Sequence, residues 1–404
     1  MPLTSTGPLR REIERALPDR PFSVDLWDGS TIPSTSNGDG PRFTVNSPRA
    51  LAQLVRAPGE LGLGRAYVTG DLDVDDLMAV MRVVDSWEPP PIDGRARAKL
   101  ILAALRAMGI PRLPRVPASE LKPRGERHSR ERDERAVRHH YDVGNEFFQL
   151  FLDESMTYSC AIFSRGAQTL EEAQRTKLEL VATKLRLTEG QRVLDVGCGW
   201  GSFAIHAARE HGVQVTGITL SDGQAALARQ RVAQAGVADK VEIRLQDYRD
   251  LGDPPFDAIS SIGMVEHVGS NQIDEYMQVC ARMLEPGAQF LNHGIARLRV
   301  GEPEAGPFSE RYVFPDAAPL HVSRILAAVE RAGLEAEHVE GFRLDYAETL
   351  RHWARNLDEH LDEAERIAGP ERLRVWRLYL RAARQGFETG FTSVFQVRCS
   401  RPLS

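Results

Sequence analysis

The chain has 404 residues, of which 42% are hydrophobic and 27% charged, with a formal net charge of −6. That length exceeds one ordinary domain, and the composition is globular rather than disordered. No basic excess is available for a phosphate backbone, which argues against a nucleic-acid partner.

The opening stretch "MPLTSTGPLRREIERAL" lacks the apolar core of a signal peptide. No apolar run approaches the roughly 18 residues that span a bilayer. Cys160, Cys198, Cys280 and Cys399 lie far apart with no C-x-x-C pair. This is neither a disulfide framework nor a zinc site, so no metal is expected, and the spacing suits a reducing cytoplasm. From Pro21 to about Asp85 come short strand-like runs, "FSVDLWDGS" and "RFTVN", and a helix opened by Ser47-Pro48. "WEPPPIDG" then breaks the pattern. Next comes "GRARAKLILAALRAMGIPRLPRVP", Gly94 to Pro117, with six arginines or lysines and no acid. Composition thus predicts a small mixed α/β domain over 1–88, a basic linker or helical segment over 89–137, and a larger domain over 138–404.

In the larger domain strands alternate with helices. "QRVLDVG" reads as a strand, "GSFAIHAAREHG" as a helix, "VQVTGITLS" as a strand and "DGQAALARQRVAQAG" as a helix. "KVEIRLQ", "FDAISSIG" and "AQFLNHGIA" read as strands, with the helix "NQIDEYMQVCARML" before the last of them. This alternation predicts an α/β fold, a doubly wound, mostly parallel sheet covered on both faces. Ligands in such sheets sit beyond the carboxyl ends of the strands. The first strand ends in "LDVGCGWGS", whose Gly197, Gly199 and Gly201 let backbone approach a ligand. The spacing is G-x-G-x-G, not the G-x-G-x-x-G of a dinucleotide site. Asp195 beside the loop would repel a pyrophosphate and suits a ligand bearing an ammonium or sulfonium. "SIGMVEHVG" carries Glu266 and His267 at the end of another strand. His267 reads as structural, because the chain re-enters a loop after it.

"VLDVGCGWGS" followed by "GITLSDGQ" resembles the S-adenosylmethionine-binding core of the cyclopropane-fatty-acyl-phospholipid synthases and their mycolic-acid relatives. "HHYDVGNEFFQLFLDESMTYSCAIF" (His139 to Phe163), "SIGMVEHVG" and "RYVFPDAAPL" match further motifs of that family in order. The resemblance implies a class I S-adenosylmethionine-dependent methyltransferase domain, Rossmann-like. It implies methyl transfer to the cis double bond of an unsaturated phospholipid acyl chain, then proton loss to give a cyclopropane, or a methylene branch if the proton leaves elsewhere. Water must be kept from the carbocation between the two steps.

The resemblance further implies that the base is a bound bicarbonate held by Cys160, Glu266, His293, the backbone of Ile295, and Tyr346. It places Tyr158, Ser159, the loop Val193, Leu194, Asp195, Gly197, Gly199 and Gly201, then Thr219, Gln224, Gln246 and Asp247, around S-adenosylmethionine. Tyr141, Phe147 and Phe148 either wall the acyl channel or pack the core. Where many relatives carry a cysteine once regarded as the nucleophile, this chain has Ala383 in "YLRAARQGF", which speaks against a covalent cysteine. The basic stretch sets Leu100, Ile101, Leu102, Leu105 and Met108 beside Arg95, Arg97, Lys99 and Arg106, the pattern of a helix lying on an anionic membrane surface or of an interdomain helix. The expected location is cytoplasmic, peripheral to the inner face of the membrane, and a homodimer is left open. The competing readings are a small-molecule C-methyltransferase, a non-enzymatic cofactor-binding regulator and a nicotinamide dehydrogenase.

Overall fold

The computed structural model describes residues 6–36, 40–109, 116–121, 129, 130, 132, 135, 140, 141, 143–301, 306–317 and 319–403. His139 and residues 110–115, parts of two stretches singled out above, lie outside the described residues. The chain divides into two compact units. One holds Met1–Leu121, Gly306–Val313 and Ala368–Gln385; the other holds Lys122–Ala305, Phe314–Ile367 and Gly386–Ser404. Both units are discontinuous, a grouping that division at the proline-rich segment does not anticipate.

The first unit contains four short strands, β1 (Ser23–Asp25), β2 (Thr31–Ile32), β3 (Arg42–Val45) and β4 (Leu72–Val74), in the order β2-β1-β3-β4. Only β1 and β3 run parallel. Leu26, Ile32, Val45, Ala50, Ala66 and Leu72 form a core here. Among the described residues, helices α1 (Gly7–Ala16), α2 (Arg49–Arg56), α3 (Glu60–Val68), α4 (Leu77–Ser86) and α5 (Gly94–Met108) accompany the sheet, together with the helix Pro307–Tyr312 and part of the helix Leu361–Thr389. Asp76 caps α4 and Asp93 caps α5, each carboxylate accepting first-turn amides that have no partner within the helix. In α5 the packing stripe is Ala103, Ala104 and Ala107 against Leu9 of α1. Small side chains let the two helices approach, so the larger residues of the expected apolar stripe flank it. Leu100, Leu105 and Met108 are half-buried, while Ile101 and Leu102 stay 39% and 46% exposed. This packing draws residues 94–108 into the first unit.

The second unit is a seven-stranded sheet in the order β10-β11-β9-β8-β5-β6-β7. Its strands are β5 (Arg192–Val196), β6 (Gln214–Thr219), β7 (Val241–Leu245), β8 (Phe256–Ile262), β9 (Leu284–Arg297), β10 (Glu335–Gly341) and β11 (Thr392–Ser400). The pairs from β9 to β7 are parallel, and β11 runs antiparallel to both its neighbours. The expected α/β, mostly parallel architecture is thus the one observed. Val193 joins one core with Val215, Ala258 and Leu291, while Leu194 and Val196 join another with Ile218, Ile259 and Phe290. Alternate residues of β5 therefore bury on opposite faces, which is why the run is apolar throughout. From β5 the chain adds β6 and β7 on one side, then β8 and β9 on the other. The order reverses between β5 and β8, so their carboxyl ends frame a crevice.

Candidate active site

The glycine loop follows β5 because only glycine takes its geometry cheaply. Gly197, Gly199 and Gly201 have φ of +75°, +55° and +82°, a region that side chains avoid. The Gly197 and Cys198 amides donate to the Ile218 carbonyl at 3.0 and 2.9 Å, tying the loop to β6. Asp195 is 2% exposed and accepts from Ser260 Oγ of β8 at 2.5 Å. Burial pushes its pKa up to about 6, opposed by that hydrogen bond.

A cavity opens at these strand ends. Tyr158, Ser159, Asp195, Gly197, Gly199, Thr219, Gln224 and Gln246 of the expected cofactor set line it. Thr219 Oγ1 donates to Gln224 Oε1 at 2.7 Å, and Ser221 Oγ accepts the Gln224 amide, so the start of the helix Asp222–Gln234 presents both side chains together. Val193, Leu194 and Gly201 lie behind the lining. Asp247 sits beside the lining residues Gln246 and Tyr248, and Arg249 holds its carboxylate at 2.6 Å. Of the aromatic trio, Tyr141 lines the cavity, while Phe147 and Phe148 pack fully buried behind it.

The wall also includes residues for which sequence reasoning assigned no ligand. His267, read as structural, lines the cavity, as does Lys177, and Trp200 of the expected loop Val193 to Gly201 joins them. Trp200 Nε1 donates to Asn145 Oδ1 at 2.7 Å. Lys177 had a legible signal: it interrupts the buried stripe Leu170, Ala173, Leu178 and Val181 of the helix Leu170–Lys184. A charge on a core-facing stripe needs a reason.

The five expected base-holding residues lie beyond this lining. Glu266 sits in the turn Val265–Val268 after β8, 8% exposed. Burial pushes its pKa to about 7, and its own amide and that of Ile295 hold it from rising further. Gly294 makes room for it, since a Cβ there would stand 2.2 Å from Val265 Cγ1 and 3.0 Å from Glu266 Oε2. His293 on β9 is 1% exposed, and burial beside the Lys177 and Lys184 charges pushes its pKa down to about 3, so the ring is neutral. A side-chain relay sets its tautomer. Lys184 Nζ donates to Gln396 Oε1 at 2.6 Å, which turns the Gln396 amide nitrogen onto His293 Nδ1 at 3.1 Å. Nδ1 therefore accepts, and the ring proton resides on Nε2. Glu266 Oε2 and His293 Nε2 are both buried without a hydrogen-bond partner among the described residues.

Cys160 and Tyr346 meet around Phe342. The Cys160 thiol approaches the Phe342 carbonyl at 3.8 Å, and the Tyr346 amide donates to the same oxygen at 3.1 Å. The Phe342 amide in turn donates to Val394 of β11, whose register partner on β9 is Ile295. Burial pushes the Cys160 pKa well above its ordinary value, leaving a neutral thiol. Tyr346 packs its ring on Phe387 with centroids 4.5 Å apart.

Residues 128–397 match the family described as mycolic acid cyclopropane synthetase. A probable fatty acid methyltransferase of Mycobacterium tuberculosis is 39% identical over 93% of this chain and 90% of its own length. The cyclopropane-fatty-acyl-phospholipid synthase of Escherichia coli K12 is 33% identical over 90% of this chain and 89% of its own. The crystal structure of the mycolic acid cyclopropane synthase CmaA1 complexed with SAH and CTAB superposes with a TM-score of 0.63 at 32% identity, covering 66% of this chain and 98% of that one. The chain therefore belongs to the mycolic acid cyclopropane synthetase family, and it is an S-adenosylmethionine-dependent methyltransferase.

Proposed function

We propose that this protein transfers the methyl group of S-adenosylmethionine to the cis double bond of an unsaturated phospholipid acyl chain and closes a cyclopropane, with bicarbonate as the base. The observation that carries the base is the orphan pair. His293 Nε2–H is a buried donor, Glu266 Oε2 a buried acceptor, and neither has a partner among the described residues. A buried polar atom left unpaired costs about 1–3 kcal/mol, so two together favour a ligand that both accepts and donates. Bicarbonate, an anion carrying one hydroxyl, fits that demand. Glu266 and His293 would hold it, with Cys160, the Ile295 backbone and Tyr346 around it. When bound, it supplies the basic oxygen that removes a proton from the methylated chain.

The protein's own residues supply the surroundings. The Lys184–Gln396 relay keeps His293 neutral and donating. Glu266 can accept a hydroxyl proton, which selects which oxygen is left to act as base. Asp195, Tyr158, Ser159, Thr219, Gln224 and Gln246 orient the cofactor, with Asp247 beside them. The rings of Tyr141, Tyr158 and Trp200 edge the cavity, where aromatic faces stabilise positive charge and exclude water. No cysteine nucleophile is required: the four cysteines are buried, and Ala383 stands where relatives carry one.

The exposed edge of α5 supports the reading that the protein meets its lipid on an anionic surface. Ile101 and Leu102 lie exposed beside exposed Arg95, Arg97, Lys99 and Arg106. Among the described residues no helix is long and apolar enough to cross a membrane, so contact would be peripheral.

The test is purified enzyme, S-adenosylmethionine and vesicles of a monounsaturated phospholipid, read by mass spectrometry and proton NMR. Acyl chains heavier by one CH2 with upfield ring protons are expected. The name of the mycobacterial relative, a fatty acid methyltransferase, supports a second outcome of equal mass, a methylene branch with vinylidene protons. Unaltered acyl chains alongside methylation of a water-soluble acceptor would overturn the lipid assignment.

A further inference from the structure

Glu179, on the helix Leu170–Lys184, meets two histidines of the helix Ser202–His211. His206 Nε2 stands 3.2 Å and His211 Nε2 3.1 Å from the same atom, Glu179 Oε2. Among the described residues this is the only trio of histidine, cysteine or acidic side chains whose ligand atoms all lie within 4.8 Å of one another. None of the three lines the cofactor cavity, and none belongs to the set around Glu266 and His293.

Helix periodicity alone does not produce this convergence. Side chains share a helix face at spacings of three or four, whereas His206 and His211 are five apart. The helix stops at His211, where Gly212 turns the chain with a φ of +67°. The two rings lie 6.0 Å apart, inclined by 54°, and Glu179 completes the group from a second helix. The His206 side chain is 8% exposed and that of Glu179 51%, so the group is packed on one side and open to solvent on the other. A further carboxylate, Glu210, acts on His206 through space but is held by Arg209 at 2.7 Å. The trio therefore offers three ligand atoms and leaves an outward position for water.

Two imidazoles and one carboxylate, with a fourth position for water, is a zinc-binding set. Zinc–ligand bonds of about 2.0–2.2 Å put neighbouring atoms of a tetrahedral site roughly 3.3–3.5 Å apart. Two of the three edges already lie within a few tenths of an ångström of that spacing. A carboxylate oxygen only accepts, so without an ion both Nε2 atoms carry protons. With an ion each neutral ring offers its Nε2 lone pair and keeps its proton on Nδ1, so none is lost. Cysteine spacing, the ground for expecting no metal, does not bear on a site built without cysteine.

We propose that Glu179, His206 and His211 form a site for a zinc-class divalent cation, outside the cofactor cavity, that pins the helix Leu170–Lys184 to the helix Ser202–His211.

The test strips the full chain with EDTA, dialyses it and titrates it with zinc chloride by calorimetry. A single saturable site is expected in wild type. Glu179→Gln and His211→Asn change an exposed and a half-buried side chain, and the second serves if the first does not fold. Each should weaken zinc by at least the roughly 10- to 100-fold that loss of an outer-shell partner costs a metal site, with circular dichroism unchanged. Zinc should raise the melting temperature of wild type and not that of either variant. Cobalt in place of zinc should give wild type the intense visible bands of a tetrahedral nitrogen and oxygen site. No saturable zinc binding by wild type would mean that the trio is a hydrogen-bonded helix contact only, and would overturn the proposal. Binding retained in both variants, or a cobalt–thiolate absorption, would put the ion elsewhere and overturn it too.

Discussion

The cofactor cavity at the strand ends and the set of Glu266, after β8, with His293, on β9, are built in opposite ways. Around the cavity, backbone geometry does most of the shaping: three left-handed glycines turn the loop, and Asp195, Thr219 and Gln224 find protein partners. The Glu266–His293 pair is shaped by side chains from distant parts of the sequence, and two of its buried polar atoms have no partner among the described residues. The first half is arranged to receive a ligand over a prepared surface. The second is a hydrogen-bonding set that a small ion would complete. On the proposed function, binding falls to one half and proton removal to the other, and each of these proposed roles can be broken separately.

The largest effect should come from the second half. Glu266→Gln and His293→Ala are expected to lower turnover by about 10²–10⁴-fold, the usual contribution of a general base. S-adenosylhomocysteine affinity by calorimetry should barely change. Near-normal turnover in both variants would dissolve the distinction between the halves.

A change in the first unit isolates delivery of the lipid. Replacing Arg95, Arg97 and Lys99 together by Glu should weaken co-sedimentation with anionic vesicles, each lost basic residue contributing about 1 kcal/mol, and high salt should weaken wild-type binding. Cofactor affinity should stay as it was. Equal vesicle binding at low salt would make α5 an ordinary packing helix.

Asp195→Asn tests the first half. Loss of a charge-assisted hydrogen bond should weaken cofactor binding by roughly 1.5–3 kcal/mol, with a smaller effect on the rate at saturation. An unchanged dissociation constant would remove Asp195 from the binding role.

The smallest effect is on stability against pH. Burial raises the Glu266 pKa from 4.5 to about 7, so the folded chain keeps a proton that the unfolded chain has released. The resulting stabilisation is complete below about pH 4.5 and is lost as pH rises to about 7. The melting temperature of wild type minus that of Glu266→Gln should therefore fall across that window. His293 titrates in both proteins and largely cancels. A flat difference would mean that Glu266 is not held in a low-dielectric site.

Much of the first half was legible in sequence because its signals are local. "LDVGCGWGS" and "GITLSDGQ" each hold a strand end and the start of a helix, and both appear where the alternation places them. The residues of the second half were reached through motif resemblance, and their coupling was not visible. Lys184 and Gln396 are 212 positions apart and meet because β11 inserts between β10 and β9. No periodicity encodes such an insertion, so the relay that sets the His293 tautomer emerges only from strand order. The alanine face of α5 went unseen for another reason. Hydrophobic patterning favours large residues, whereas close helix packing selects small ones.

The central claim, that Glu266 and His293 hold a bicarbonate base, is tested most directly by removing that ion. Turnover of vesicle lipid should be measured in carbon dioxide-free buffer and then with added bicarbonate. The expected result is low activity that rises saturably with bicarbonate in wild type and fails to rise in Glu266→Gln. Full wild-type turnover in the depleted buffer, unmoved by bicarbonate, would contradict the account.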